Sequence, residues 1–368
     1  MYTVAGTESL VTPALLVFAD LTRRNLDQML QVAGGPGRLR PHCKTHKMPA
    51  LTRWWLERGV AKHKCATFAE AEMLAREGVP DILLAYSIVG ANVDRVVRFR
   101  AEFPDVRLAV LVDDAPSLKR LDQALAAAGR SVDALLDLAT GLGRTGIEPG
   151  DEAFGLYGEL VDAEQIRAAG LHWYDGHLHQ SDMAERRSAV LAGFQAALEL
   201  RERLRAEGMP VDAIVAGGTG SFPIYAELED ESIELSPGSC VFHDIGYGAQ
   251  FPEMDFTPSA LILTRVISRP GARRLTLDLG YKGVASDVPL ERRLAFPELP
   301  DARPVLQNEE HLVLETESAE RFRPGDELLA IPGHICPTCN LYREAVLIES
   351  GRPAARWEIT AGARRLTI

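Results

Sequence analysis

Arg40-Pro41-His42-Cys43-Lys44-Thr45-His46-Lys47 is the stretch on which the reading of this chain turns. Two lysines and two histidines fall within six residues, beside a proline that stiffens the backbone. The tract follows a short hydrophobic segment starting at Leu15 and a helix-like segment. A run this basic, closing what reads as a buried strand, is poor material for a core. It suits a site that holds a phosphate, an aldehyde or both, because a lysine forms a Schiff base when burial and neighbouring cations lower its pKa. A solvated basic loop is the competing reading of the spacing alone.

Outward from this tract, short apolar runs alternate with longer amphipathic ones from about residue 14 to 240. The runs cover residues 14–19, 38–40, 60–66, 82–86, 108–112, 132–138, 169–174, 211–216 and 232–235. Between them lie helical patterns: 69–77 stops at Gly78, and 189–207 stops at Gly208. Such alternation predicts parallel strands with right-handed crossovers. Setting the first run aside leaves eight strands, the count of a (β/α)8 TIM-type barrel, with an open doubly wound sheet as the alternative. In a barrel, Lys44 stands just past the first strand, at the end where reactive groups gather. Past about Pro252 the texture changes to short β-rich runs at 260–267, 274–279, 311–316, 327–331, 344–348 and 355–360, separated by Gly/Pro turns. The expected division is therefore a barrel over 13–250 and a smaller β-domain, barrel or sandwich, over 251–368.

Composition narrows the class. The chain has 368 residues, 46% hydrophobic and 25% charged, as in ordinary globular proteins. Its net charge of −12 argues against nucleic acid as a partner. No run reaches the roughly 18 apolar residues of a membrane span, and the N-terminal residues lack the basic-then-apolar pattern of a secretion signal. Five cysteines, few and odd in number, complete the expectation of a reducing cytoplasm.

Three further motifs carry chemistry. Gly217-Gly218-Thr219-Gly220-Ser221 follows a predicted strand; its glycines allow close backbone approach to an anion, and Thr219 and Ser221 add hydroxyl donors. An ordinary βα turn is the plainer reading. Gly238 and Ser239, after the last barrel strand, offer further contacts. His334-Ile335-Cys336, read as extended, points imidazole and thiolate to one side, where they converge on one ion with positions left open for water and substrate. Cys336-x-x-Cys339 lacks the second Cys pair of a structural zinc site and the βα setting of a redox pair.

These motifs resemble the D-threonine aldolase / D-serine dehydratase family, metal-activated pyridoxal-phosphate enzymes of the alanine-racemase-like fold. The family pattern Arg-Pro-His-x-Lys-Thr-His-Lys is matched at every fixed position from Arg40 to Lys47. The resemblance runs from Thr12-Pro13-Ala14 to the His334 motif and implies that residues 1–12 join the β-domain. It implies that Lys44 carries the cofactor aldimine, with His42, His46 and Lys47 as nearby cations. Thr140-Gly141-Leu142-Gly143-Arg144-Thr145-Gly146 resembles a family segment whose arginine meets the cofactor's phenolic oxygen. Tyr174 falls where the family places a tyrosine near the pyridine nitrogen, and His177 and His179 become candidates for acid/base work. Asp278-Leu279-Gly280-Tyr281-Lys282, with Ser286-Asp287, resembles a further family segment without an evident role.

The His-x-Cys pair resembles the dehydratases, whereas Pro337-Thr338-Cys339-Asn340-Leu341-Tyr342 resembles the aldolase continuation. The resemblance thus implies a lyase acting on D-β-hydroxy amino acids. Retro-aldol cleavage to glycine and an aldehyde is favoured over dehydration of D-serine or 3-hydroxy-D-aspartate to a 2-oxo acid and ammonia. An amino-acid racemase and a non-catalytic pyridoxal-phosphate-binding protein are the remaining readings. The ion is zinc if the thiolate decides, manganese or magnesium if an oxygen ligand does. A homodimer is expected, each β-domain leaning on the other barrel.

Overall fold

The computed structural model describes residues 2–368. The chain divides into two compact units. A sheet unit takes Met1–Met29, Thr45–Ala50 and Ser239–Ala363; a barrel unit takes Leu30–Lys44, Leu51–Gly238 and Arg364–Ile368. Met1 itself lies outside the described residues.

The strand β1 (Ala14–Phe18) belongs to the sheet unit. The barrel unit holds β2 (Lys62–Cys65), β3 (Asp81–Ser87), β4 (Arg107–Val112), β5 (Val132–Leu138), β6 (Ile166–Trp173), β7 (Ala213–Ala216) and β8 (Ile233–Leu235). Each lies parallel to the next in sequence, and a helix crosses between every pair. The helices start and stop on local chemistry. Thr67 caps the helix Phe68–Arg76 by accepting the Glu70 N–H, Asp182 caps Met183–Ala206 through the Glu185 N–H, and Gly129 ends Ala115–Ala128 in the left-handed conformation. Leu83, Leu111, Leu135 and Val215 fill the interior.

The expected first strand, 38–40, is not a regular strand. It closes the ring through single bridges, Leu39 to Leu235 on one side and His42 to Lys64 on the other. Arg40 N–H donates to Leu235 O, His42 N–H to Pro237 O and Lys64 N–H to Pro41 O. Pro41 has no N–H to give, which interrupts the ladder without opening the ring. The open-sheet alternative is thereby excluded.

Arg40 faces away from the chemistry expected of its tract. It is 5% exposed, 2.5 Å from Glu234 and 2.7 Å from Asp81. These pairs extend around the strand starts through Arg107, Asp133, Arg167 and Asp212, and back through Lys62 to Glu234. Together these pairs line the strand starts from Asp212 round to Glu234 as a belt of alternating charge.

The sheet unit is built on a nine-stranded sheet, in keeping with the expected separate β-rich domain. Its long strand β9 (Ala260–Gly271) pairs with β1, with β10 (Arg274–Leu277) and with the strand Glu327–Pro332. On its other side β1 runs parallel to the strand Glu344–Glu349. These pairings take 14–18 out of the barrel, and the chain enters this unit at Ser239 rather than at 251. Asp278 serves the sheet: it accepts from Thr12 and Thr264 hydroxyls and from the Arg265 N–H. Among the described residues no helix is long and apolar enough to cross a membrane.

Breaking the belt at its most buried member takes from Glu234 and Asp81 their shared buried partner and leaves each with one less-buried cation, Lys62 and Arg107 respectively. Arg40→Met is expected to destabilise the fold by about 3 kcal/mol, read as a lowered midpoint in thermal or urea unfolding.

Candidate active site

Lys44 lies in a single 3-10 turn, Cys43–Thr45, immediately after the segment that closes the ring. His42 shapes that turn, its Nδ1 accepting the Lys44 N–H at 3.3 Å. Arg40 lies among the strand starts in the charged belt, whereas His42 and Lys44, further along the same segment, line a cavity of about 460 Å³ within the barrel unit.

The cavity gathers cations around one aromatic ring. The ammonium groups of Lys44 and Lys64 each lie 5.6 Å from the Tyr174 ring centroid, and the Arg144 guanidinium lies 4.6 Å from it. Asp137 is the carboxylate in the lining, and it is already bound to His172 Nδ1 at 2.6 Å. Burial works against the Asp137 charge, but His172 and Lys64 hold its carboxyl below the ordinary range. Burial and repulsion from Lys64 push His172 down, so its imidazole stays neutral, and its Nε2 is buried with no partner among the described residues. Burial, then repulsion from Lys44, pushes Lys64 down to about 7.

The loop that carries Arg144 folds back on the end of β5. Ala139 N–H donates to Ile147 O, Ile147 N–H donates to Asp137 O, and the Thr140 hydroxyl donates to Tyr174 O. The glycine loop sits after β7 against the same tyrosine: a Cβ on Gly218 would meet the Tyr174 ring at 3.1 Å, and one on Gly176 would meet its hydroxyl at 2.2 Å. Ser221, expected as an anion donor, gives its hydroxyl to Asp175 at 2.6 Å and accepts the Gly218 N–H. Burial pushes the Asp175 carboxyl up, and Ser221 and Tyr225 work to hold its charge. Ser221 therefore braces the loop. Thr219 is buried in it, and Gly220 gives its carbonyl to the Arg186 guanidinium.

Neither histidine expected for acid/base work lines the cavity. His179 is exposed. His177 is half-buried, its Nδ1 buried without a partner among the described residues and its Nε2 beside Gly141. Gly238 ends the barrel unit, whereas Ser239 belongs to the sheet unit, its hydroxyl 3.1 Å from Cys336 Sγ.

His334 and Cys336 converge, but not as an extended pair. His334 is extended and caps a short helix, Ile335–Cys339, that contains Cys336. Burial opposes both charges, yet each group holds the other's: His334 is raised to about 9, and Cys336 is lowered. Asp287 accepts from His334 Nδ1 at 2.5 Å, leaving Nε2 for the Cys336 side. Thr45 and Ser239 hydroxyls lie 3.2 and 3.1 Å from the sulfur. Asp244 accepts the Ile335 N–H at 2.9 Å and fixes the backbone between the two donors. An imidazole oriented by a carboxylate beside a thiolate fits a divalent ion taking two protein ligands. No group of three or more His, Cys, Asp or Glu residues placed to hold a metal is present among the described residues.

Sequence reasoning missed Lys64, His172, Asp175 and Asp244, and left Asp137 and Asp287 without roles. Lys64 had a signal: Lys62-His63-Lys64 puts three titratable groups inside a buried parallel strand, which ordinarily reads as apolar.

Comparison with known proteins agrees with this geometry. Residues 19–244 match the family model described as alanine racemase, N-terminal domain, and residues 259–348 match a serine dehydratase domain model. The chain is 31% identical to a D-threonine aldolase of an Arthrobacter species over 332 residues, covering 88% of this chain and 85% of that one. It is 27% identical to the 3-hydroxy-D-aspartate aldolase of Paracoccus denitrificans, covering 95% and 92% of the two chains. The crystal structure of D-threonine aldolase from Filomicrobium marinum superposes with a TM-score of 0.89 at 28% identity, over 99% of both chains. The fold, the lysine turn and these relatives together place the chain in the D-threonine aldolase / D-serine dehydratase family of the alanine-racemase-like fold, a family of lyases.

Proposed function

We propose that this protein is a pyridoxal-phosphate- and divalent-metal-dependent lyase that cleaves D-β-hydroxy amino acids, D-threonine among them, to glycine and an aldehyde. The observation that carries the reading is the cavity: Lys44, Lys64 and Arg144 surround the Tyr174 ring, with one carboxylate and an unpartnered buried imidazole nitrogen beside them. A surplus of cations around one cavity, Lys64 buried among them, calls for an anionic ligand. The named activities of the Arthrobacter, Paracoccus and Filomicrobium relatives support the reaction class.

When bound, pyridoxal phosphate supplies an electron sink for the carbanion left at Cα. Lys44 is the amine that would hold its aldehyde, and its amine could carry a proton within the cavity. Arg144 balances negative charge on the cofactor's phenolic oxygen, and the glycine loop 217–221, braced by Asp175, receives the phosphate. Tyr174 packs against both. His334 and Cys336 would hold the ion, which would supply Lewis-acid chemistry for the substrate hydroxyl. Asp287 orients the imidazole, and Asp244 sets the backbone between the two ligands. His177, half-buried with an Nδ1 unpartnered among the described residues, is the stronger candidate for the hydroxyl proton than the exposed His179. A homodimer in the cytoplasm completes the reading.

The thiolate ligand sustains a second reading, dehydration to a 2-oxo acid and ammonia, because sulfur selects zinc over harder ions. Product identification separates the two. With pyridoxal phosphate and either zinc or manganese, D-threonine is expected to give glycine and acetaldehyde. Pyruvate from D-serine, or 2-oxobutyrate from D-threonine, would replace the aldolase with the dehydratase. Lys44→Ala is expected to lose both activity and the cofactor's visible absorbance.

Cys336→Ala and Asp287→Asn are expected to leave that absorbance in place while metal affinity, measured by competition with a chelator, falls tenfold to about a hundredfold for Asp287→Asn and further for Cys336→Ala. For the base, His177→Asn is expected to lower kcat by about a hundredfold and His179→Asn to leave it near wild type; the reverse ranking in steady-state kinetics would reassign the proton.

A further inference from the structure

Lys64 has no part in the chemistry above. It lies on β2 two residues after Lys62, so both side chains leave the strand on one side. Lys62 is drawn into the charged belt by Glu234 at 2.6 Å, whereas Lys64 enters the cavity and is 3% exposed. No hydrogen bond or ion pair to its ammonium is present among the described residues. Its surroundings are the Tyr174 ring and a charge set dominated by its own sign: Lys44, Arg144 and Arg40 against Asp137, with the neutral His172 and, across the strand bridge, His42. Asp137 is already committed to His172. An apolar residue would fill this place in a barrel interior at less cost than an ammonium without an anion.

We propose that Lys64 is a positioning residue that supplies, together with Arg144, the positive field holding the phenolic oxygen of the bound cofactor as an anion. This rests on the reading that the cavity takes pyridoxal phosphate. Arg144 is always charged, but it sits on a loop and is largely exposed. Lys64 stands on a strand, where the backbone of two neighbours fixes its place. Its own charge is poised: burial and Lys44 push it down to about 7, Asp137 works against them, and an anion in the cavity would restore its proton.

The test is a pH titration of the visible absorbance of the holoenzyme without substrate. A cation near the chromophore disfavours the chromophore's protonated form. Lys64→Met, which keeps the length and removes the charge, is therefore expected to move the midpoint upward by about one pH unit or more. Lys64→Arg is expected to hold it near wild type. A midpoint in Lys64→Met that coincides with wild type, with cofactor bound one to one, overturns the proposal. Should the methionine variant fail to fold, Lys64→Gln reads the same midpoint with a polar group kept and the charge gone. Wild-type protein that gains no visible absorbance with pyridoxal phosphate overturns the cofactor reading itself; wild type that gains it, with uncharged variants titrating alike, overturns only the role of Lys64.

Discussion

The barrel unit depends on how one irregular segment closes its ring. Residues 38–42 have too few regular hydrogen bonds to count as a strand, and Pro41 removes one donor outright. What holds the segment is charge. Arg40 is clamped between Glu234 of β8, which the segment must join, and Asp81 of β3, one strand beyond β2. Pulling either partner away would cost the buried guanidinium one of its two counter-charges, so the register is favoured by the cost of breaking it. Register then decides which residues face the cavity. With Arg40 committed to the belt, His42 and Lys44 are delivered to the other end of the ring, where the chemistry lies.

The two ends of the barrel treat charge in opposite ways. The belt around the strand starts is balanced pair by pair, from Asp212 through Arg167, Asp133 and Arg107 to Asp81. The cavity is unbalanced: three cations line it against the carboxylate of Asp137. Balanced charge rigidifies a scaffold, whereas unbalanced charge gathered in a cavity is a standing demand for a ligand. Tyr174 lets the cations gather, because the face of an aromatic ring tolerates positive charge without neutralising it. The glycines at 176 and 218 exist for the same ring, since a side chain at either would strike it.

The sheet unit builds its site on different terms. His334 and Cys336 occupy the cap and first turn of a short helix, so their convergence depends on the Asp244 carboxylate that receives the Ile335 N–H. Asp287 turns the imidazole, and two hydroxyls surround the sulfur. A two-residue motif thus relies on four other side chains, Asp244, Asp287, Thr45 and Ser239, brought from distant parts of the chain.

The sequence by itself determined the strand–helix alternation, the helix stops at Gly78 and Gly208, the lysine turn, the β-rich remainder and the family. Each of these is written locally, in period, in glycine placement or in a contiguous motif. Tertiary structure alone decided that Ala14–Phe18 belongs to the sheet unit, because its partners Ala260–Gly271 and Glu344–Glu349 come from over 240 residues away in the chain. It decided that Arg40 is structural while Lys44 is not, a distinction that requires knowing where Glu234 and Asp81 lie. It decided that Ser221 braces a loop and that Lys64 enters the cavity. A charged side chain carries no label for its role: the sequence shows that the charge exists, and only the packed chain shows which charges have been answered.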